Sequence, residues 1–164
     1  MDLATRADID RLLQAFYGRA MVDPLIGYLF TEVAHLDLDH HLPVIGNFWE
    51  KVLFQAAVYE GNPMAVHHAL HAAATLRPDH FQRWFALWAG CVDDLFEGPV
   101  ADDAKRRAAL IAESMQQHLR IASDPEHFTD AYRQALGMPA AAAAGTAQGF
   151  LPVIVLPLLP PSTS

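Results

Sequence analysis

Apolar residues recur along most of this chain at three- and four-residue intervals, the spacing that lines one face of an α-helix. Thr5 stands as an N-cap with Asp8 three residues on. Ile9, Leu12, Leu13, Phe16, Tyr17 and Ala20 then share a face. Asp23-Pro24 stops that helix, because the residue before a proline is pushed out of the helical region. Leu25, Ile26, Leu29 and Phe30 form a short apolar turn or helix. A second start at 37–41 leads to Ile45, Phe48, Trp49, Val52, Leu53 and Ala56. Asn62-Pro63 is a helix opening, with Asn62 suited to the N-cap and Pro63 to the first helical position. The short helix that follows carries His67, Leu70 and His71 on one face and is ended by Arg77-Pro78-Asp79. Phe81, Trp84, Phe85, Trp88, Val92, Leu95 and Phe96 make the most regular stripe, closed by Gly98-Pro99. A further helix over 101–119 turns Ala104, Ala108, Ile111, Met115 and Leu119 inward, and Asp124-Pro125 opens a small extra helix ending at Gly137. Neither strand alternation nor an internal repeat breaks this pattern. The fold class expected is all-α.

Near residue 137 the composition changes. Residues 1–137 read as one helical domain. Residues 138–164 read as an Ala/Pro-rich apolar tail, poorly ordered, with five prolines and no charged side chain after Arg133. Its apolar run over 150–161 is too short to span a bilayer. At 164 residues and 52% apolar, the chain has material for a real core, which excludes global disorder. A formal charge of −8 argues against nucleic acid as the main partner. Cys91, the single cysteine, excludes an internal disulfide framework and a cysteine-rich metal site. The first six residues contain no apolar signal core, and a cytoplasmic setting is expected.

Nine histidines turn attention to chemistry. His67, His68 and His71 cluster just after the Asn62-Pro63 opening, and His67 and His71, four apart, share a face. They read as solvated surface histidines, as a zinc pair, or as the source of one axial ligand to haem iron. Zinc would need further ligands that Cys91 alone does not offer. A haem site needs one neutral imidazole and an apolar slot, which aromatic-rich helices supply. A second constellation is Tyr17, His41 and Trp84, each on the inward face of a different helix. Singly, each reads as a core residue. Together they bring a hydroxyl and an indole N–H into one pocket, donors that stabilise negative charge on a bound ligand.

Five blocks of residues resemble a known family in order and spacing. They are Ala15-Phe16-Tyr17, the turn from Asp23-Pro24 to Phe30, Ile45-Gly46-Asn47-Phe48-Trp49, Tyr59-Glu60-Gly61-Asn62-Pro63-Met64-Ala65-Val66-His67, and His80-Phe81-Gln82-Arg83-Trp84. Over about residues 5–120 the chain resembles the third group of truncated haemoglobins. The resemblance implies a shortened globin, a two-over-two helical sandwich around haem b (iron protoporphyrin IX). His67 would then be the iron ligand. Tyr17, His41, Ile45 and Trp84 would form the distal pocket, with Tyr17, His41 and Trp84 carrying any catalysis, and Phe30, Phe48, Leu70 and Phe81 would pack on the haem. The ligands implied are oxygen, nitric oxide and carbon monoxide at a five-coordinate iron. A pocket that releases oxygen slowly suits reaction with nitric oxide or reduction of peroxide, with electrons from a separate reductase. His68 and His71 compete with His67, and His40 competes with His41 for the pocket-facing place. Cys91 is expected to be a small core residue away from the pocket. The stretch after Leu119, including His127, has no counterpart in the resemblance. Two other readings stand beside this one: a haem-based gas sensor acting through a protein partner, and a haem-free helical metal-binding or interaction protein.

Overall fold

A computed structural model of the chain describes residues 1–141. Six α-helices follow one another over these residues: α1 (Arg6–Ala20), α2 (Leu38–Phe54), α3 (Pro63–Ala73), α4 (Pro78–Leu95), α5 (Pro99–His118) and α6 (Asp130–Ala135). A π-helical turn over Leu29–Val33 links α1 to α2, and a 3₁₀ turn over Pro125–His127 precedes α6. No described helix is long and apolar enough to cross a membrane. The tail expected from 138 onward lies, from residue 142, outside the described residues.

The helix starts follow the capping chemistry of the sequence. Thr5 Oγ1 accepts the Asp8 N–H at 3.2 Å, and Asp8 Oδ2 accepts the Thr5 N–H at 2.9 Å. Asp37 opens α2 by accepting the Asp39 N–H, and Asn62 opens α3 by accepting the Ala65 N–H at 3.0 Å. Proline sits in the first turn of α3, α4 and α5, where its missing N–H has no intrahelical role. The start of α5 is completed from the far end of the chain. Asp2 accepts the N–H groups of Val100 and Ala101 at 3.0 and 2.9 Å. Gly98, at φ 146°, makes room for it, since a Cβ there would sit 2.5 Å from the Asp2 carboxyl carbon.

Packing gives two helix pairs laid one on the other. α1 packs on α2 and α4 packs on α5, while α1 also rests on α4 and α2 on α5. This is the expected two-over-two arrangement. Its core is the apolar stripes of α1, α4 and α5, including Leu12, Leu13, Phe16, Phe85, Trp88 and Val92. Trp49 of α2 stacks on Trp88 of α4 with ring centres 4.3 Å apart. α1 and α2 approach closely at Gly46, where a Cβ would meet the Arg6 guanidinium. Arg6 ties the same corner by hydrogen bonds to Asp10, Asn47 and Glu50. α3 differs: none of its residues is fully buried, and it lies against the π-helical turn.

Some boundaries depart from those the sequence predicts. α1 ends at Ala20, before Asp23-Pro24, and Asp23 instead accepts the N–H groups of Leu25 and Ile26 and pairs with Arg83. α2 stops at Phe54 because Gln55 takes the left-handed conformation, φ 59°. α3 stops at Ala73, so Pro78 opens α4 rather than closing α3. The helix expected over 124–137 is interrupted at Phe128, whose extended backbone turns its ring into the core beside Tyr132.

Candidate functional site

A cavity of about 240 Å³ opens between the two layers. That is an order of magnitude more than the roughly 10–15 Å³ one water requires. Its wall is almost entirely apolar and aromatic, with a few polar groups converging on it, the usual character of a small-molecule site. Tyr17, Phe30, His41, Ile45, Phe48, His67, Leu70, Phe81 and Trp84 all line it. Of the two neighbouring histidines at the start of α2, His41 lines the cavity and His40 is exposed. Cys91 is fully buried and does not line the cavity.

Tyr17 is buried on α1, and its Oη lies 2.9 Å from His41 Nε2. Burial holds the Tyr17 hydroxyl well above the usual phenol range, so it keeps its proton. Burial also lowers the pKa of His41, helped by the nearby charges that His40 and His67 would carry, so the ring is neutral. A neutral imidazole that donates through Nε2 leaves the Tyr17 proton free for a guest in the cavity. Trp84 lies parallel to Trp88, with ring centres 6.3 Å apart and an interplanar angle of 8°. The indole N–H of Trp88 donates to the Ala104 carbonyl at 3.2 Å. That of Trp84 has no such partner among the described residues.

His67 Nδ1 is 2.7 Å from the Pro63 carbonyl, which accepts only a hydrogen bond, so the ring proton belongs on Nδ1. Burial lowers the His67 pKa and keeps the ring neutral. Nε2 therefore carries a lone pair, the arrangement a metal-ligating imidazole needs, with its orienting hydrogen bond already made. The two competing histidines are placed otherwise. His68 is exposed. His71 Nδ1 accepts the Leu76 N–H at 2.9 Å, which puts its proton on Nε2. Among the described residues no three His, Cys, Asp or Glu side chains gather to hold a metal ion. A zinc ligand set is thus not formed among them, whereas the His67 imidazole, with its Nε2 lone pair in the wall of an apolar cavity, suits an iron porphyrin.

The sequence left several wall residues unassigned, including Leu76, His80, Trp88 and Met115. His80 is only 3% exposed. Its Nδ1 accepts the Arg77 N–H at 3.0 Å, and its Nε2 is 3.5 Å from Tyr28 Oη. Burial, with the charge of Arg77, lowers its pKa. Its place at the third position of a helix opened by Pro78 was the available signal, since a side chain there can reach back to the capping backbone N–H.

No family model matches the chain. Group 3 truncated hemoglobin ctb of Campylobacter jejuni is 25% identical to it over 114 residues, which span 68% of this chain and 87% of the relative. The crystal structure of the group III truncated hemoglobin from Campylobacter jejuni superposes with a TM-score of 0.64 at 23% identity. The match covers 73% of this chain and 94% of that one. The two matches leave about a third and about a quarter of this chain's length uncovered.

Proposed function

Taking as premise that this chain resembles the group 3 truncated haemoglobins and has the truncated-globin fold, we propose that it holds haem b through His67 and binds diatomic ligands in the cavity. The observation that carries this reading is the state of His67: a neutral ring with Nδ1 tied to the Pro63 carbonyl and Nε2 free, in the wall of an apolar cavity. Haem iron, when bound, supplies one open coordination position for oxygen, nitric oxide or carbon monoxide.

The chain's own residues do the rest. Phe30, Ile45, Phe48, Leu70 and Phe81 line the cavity with apolar surface, and they would exclude water from a bound porphyrin and pack against it. The Tyr17 hydroxyl and the Trp84 indole N–H donate to a ligand that gathers negative charge, and His41 orients Tyr17 through the 2.9 Å contact. Hydrogen bonds to a charged acceptor are worth about 1.5–3 kcal/mol each. Two of them slow ligand release by several orders of magnitude. Slow release suits turnover of bound oxygen with nitric oxide, or reduction of peroxide, better than oxygen carriage. The electrons would come from a separate reductase, in a cytoplasmic setting. No observation favours the sensor reading over this one.

The test is an absorption spectrum of the full chain in ferric, ferrous and carbonyl forms. A Soret band that moves when carbon monoxide is added to the ferrous protein supports the proposal, and His67→Ala should abolish haem retention. A chain that takes up no haem, or a His67→Ala variant with an unchanged spectrum, would refute it.

A further inference from the structure

α3 presents His67, yet burial does little to fix it. None of its residues is fully buried, and Ala74 leaves the helix in extended backbone. The chain must then re-enter α4 at Pro78. Two successive amides of this short link each meet an imidazole. The Leu76 N–H donates to His71 Nδ1 at 2.9 Å, and the Arg77 N–H donates to His80 Nδ1 at 3.0 Å. His71, in the last turn of α3, reaches across the link to Leu76, and His80, in the first turn of α4, holds the next residue, Arg77, which is that helix's own N-cap. Between them Leu76 is 4% exposed and, like His80, forms part of the cavity wall.

We propose that His71 and His80 form a two-imidazole clasp that sets the position of α3, and with it His67, against the cavity. Both are positioning residues. Each acts as an acceptor through Nδ1, and the backbone N–H it holds would otherwise be left without a protein partner inside the link. The consequence for His67 rests on the haem reading given above. The clasp itself is a property of the chain alone.

The test uses His71, which is only half-buried, so that its replacement leaves the core untouched. Amide hydrogen exchange is measured first on the full chain, with and without added haem. The Leu76 and Arg77 amides should exchange slowly in the unaltered protein. His71→Leu should speed exchange at Leu76 and through the last turn of α3 about fivefold, the effect of one hydrogen bond. His71→Asn, whose Oδ1 can stand where Nδ1 stood, should restore slow exchange. On the haem-loaded chain, His71→Leu should speed haem transfer to an acceptor globin by a similar factor and shift the iron–histidine stretching band. His71→Asn should return both towards the original values. Fast exchange at Leu76 and Arg77 in the unaltered chain overturns the clasp, as does a His71→Leu variant that behaves like the parent or a His71→Asn variant that behaves like His71→Leu. Failure of the chain to take up haem overturns the haem reading instead, and exchange in the haem-free chain still decides the clasp.

Discussion

Helix α4 and helix α3 border the same cavity, but different forces hold them. α4 buries His80, Phe81, Phe85, Trp88, Ala89, Cys91 and Val92 against α1 and α5. α3 buries nothing fully; Asn62 caps its own first turn, and His71 ties its last turn to the link before α4. One wall of the site is therefore part of the core, and the other is an attachment to it. A change in α4 should damage fold and site together, whereas a change in α3 should damage the site and leave the fold standing.

The largest expected effect separates the two walls directly. Trp88 is 1% exposed, stacks on Trp49, lies parallel to Trp84, and donates its indole N–H to the Ala104 carbonyl. Trp88→Ala should cost about 3–5 kcal/mol of stability, from lost burial and the cavity left behind. In a chain of this size that is a fall of roughly 10 °C in melting temperature. His67→Ala should abolish haem retention yet leave the melting temperature of the haem-free chain within about 2 °C of the parent, because it removes no core packing. Calorimetry on the two haem-free variants checks the contrast. Equal losses of stability would show that α3 belongs to the same cooperative unit as α4.

The same division explains how much of the molecule was readable beforehand. The stripes of α1 and α4 were legible because burial imposes the 3.6-residue period directly on the sequence. The starts of α1, α2 and α3 were legible because Thr5, Asp37 and Asn62 are N-cap residues. The stop at Gln55 and the break at Phe128 were not, because neither carries a glycine or proline signal and both follow from tertiary fit. Histidines were the least legible. Sequence brought His67, His68 and His71 together, but their fates differ by partners that only the fold supplies: the Pro63 carbonyl, solvent and the Leu76 N–H. His80 went unassigned for the same reason, since its burial depends on how α4 meets the turn that carries Tyr28.

A smaller effect is expected inside the cavity, on the side built from core helices. Tyr17→Phe keeps the ring that packs edge-on against Phe16 and Phe30, with centres 5.1 and 5.8 Å away, and removes only the hydroxyl. On the haem-loaded chain, oxygen should dissociate roughly ten- to hundredfold faster, the factor that corresponds to a hydrogen bond of about 1.5–3 kcal/mol to a charged acceptor. Stopped-flow displacement of oxygen by carbon monoxide reads this rate. An unchanged rate would move the donor role to Trp84 or His41. His41 loses its partner in this variant, so a parallel rise in its mobility is part of the expected result.

The smallest effect is also the sharpest test of the division, because it makes the same chemical change in both regions. Thr5 caps α1 and Asn62 caps α3, each through a side-chain oxygen that accepts a backbone N–H three residues on. Replacing either with Ala should cost its helix about 1 kcal/mol. α1 is welded to the core through Ile9, Leu12, Leu13 and Phe16, so Thr5→Ala should transmit its loss to global unfolding and shift the denaturant midpoint. α3 has no such burial, so Asn62→Ala should leave the midpoint nearly fixed and appear as about fivefold faster exchange at the amides of α3 alone. Denaturant melts and residue-resolved exchange on the pair read the two outcomes. Equal midpoint shifts would mean that the histidine-bearing wall is held by the core after all, and that its few buried contacts matter more than its polar ends.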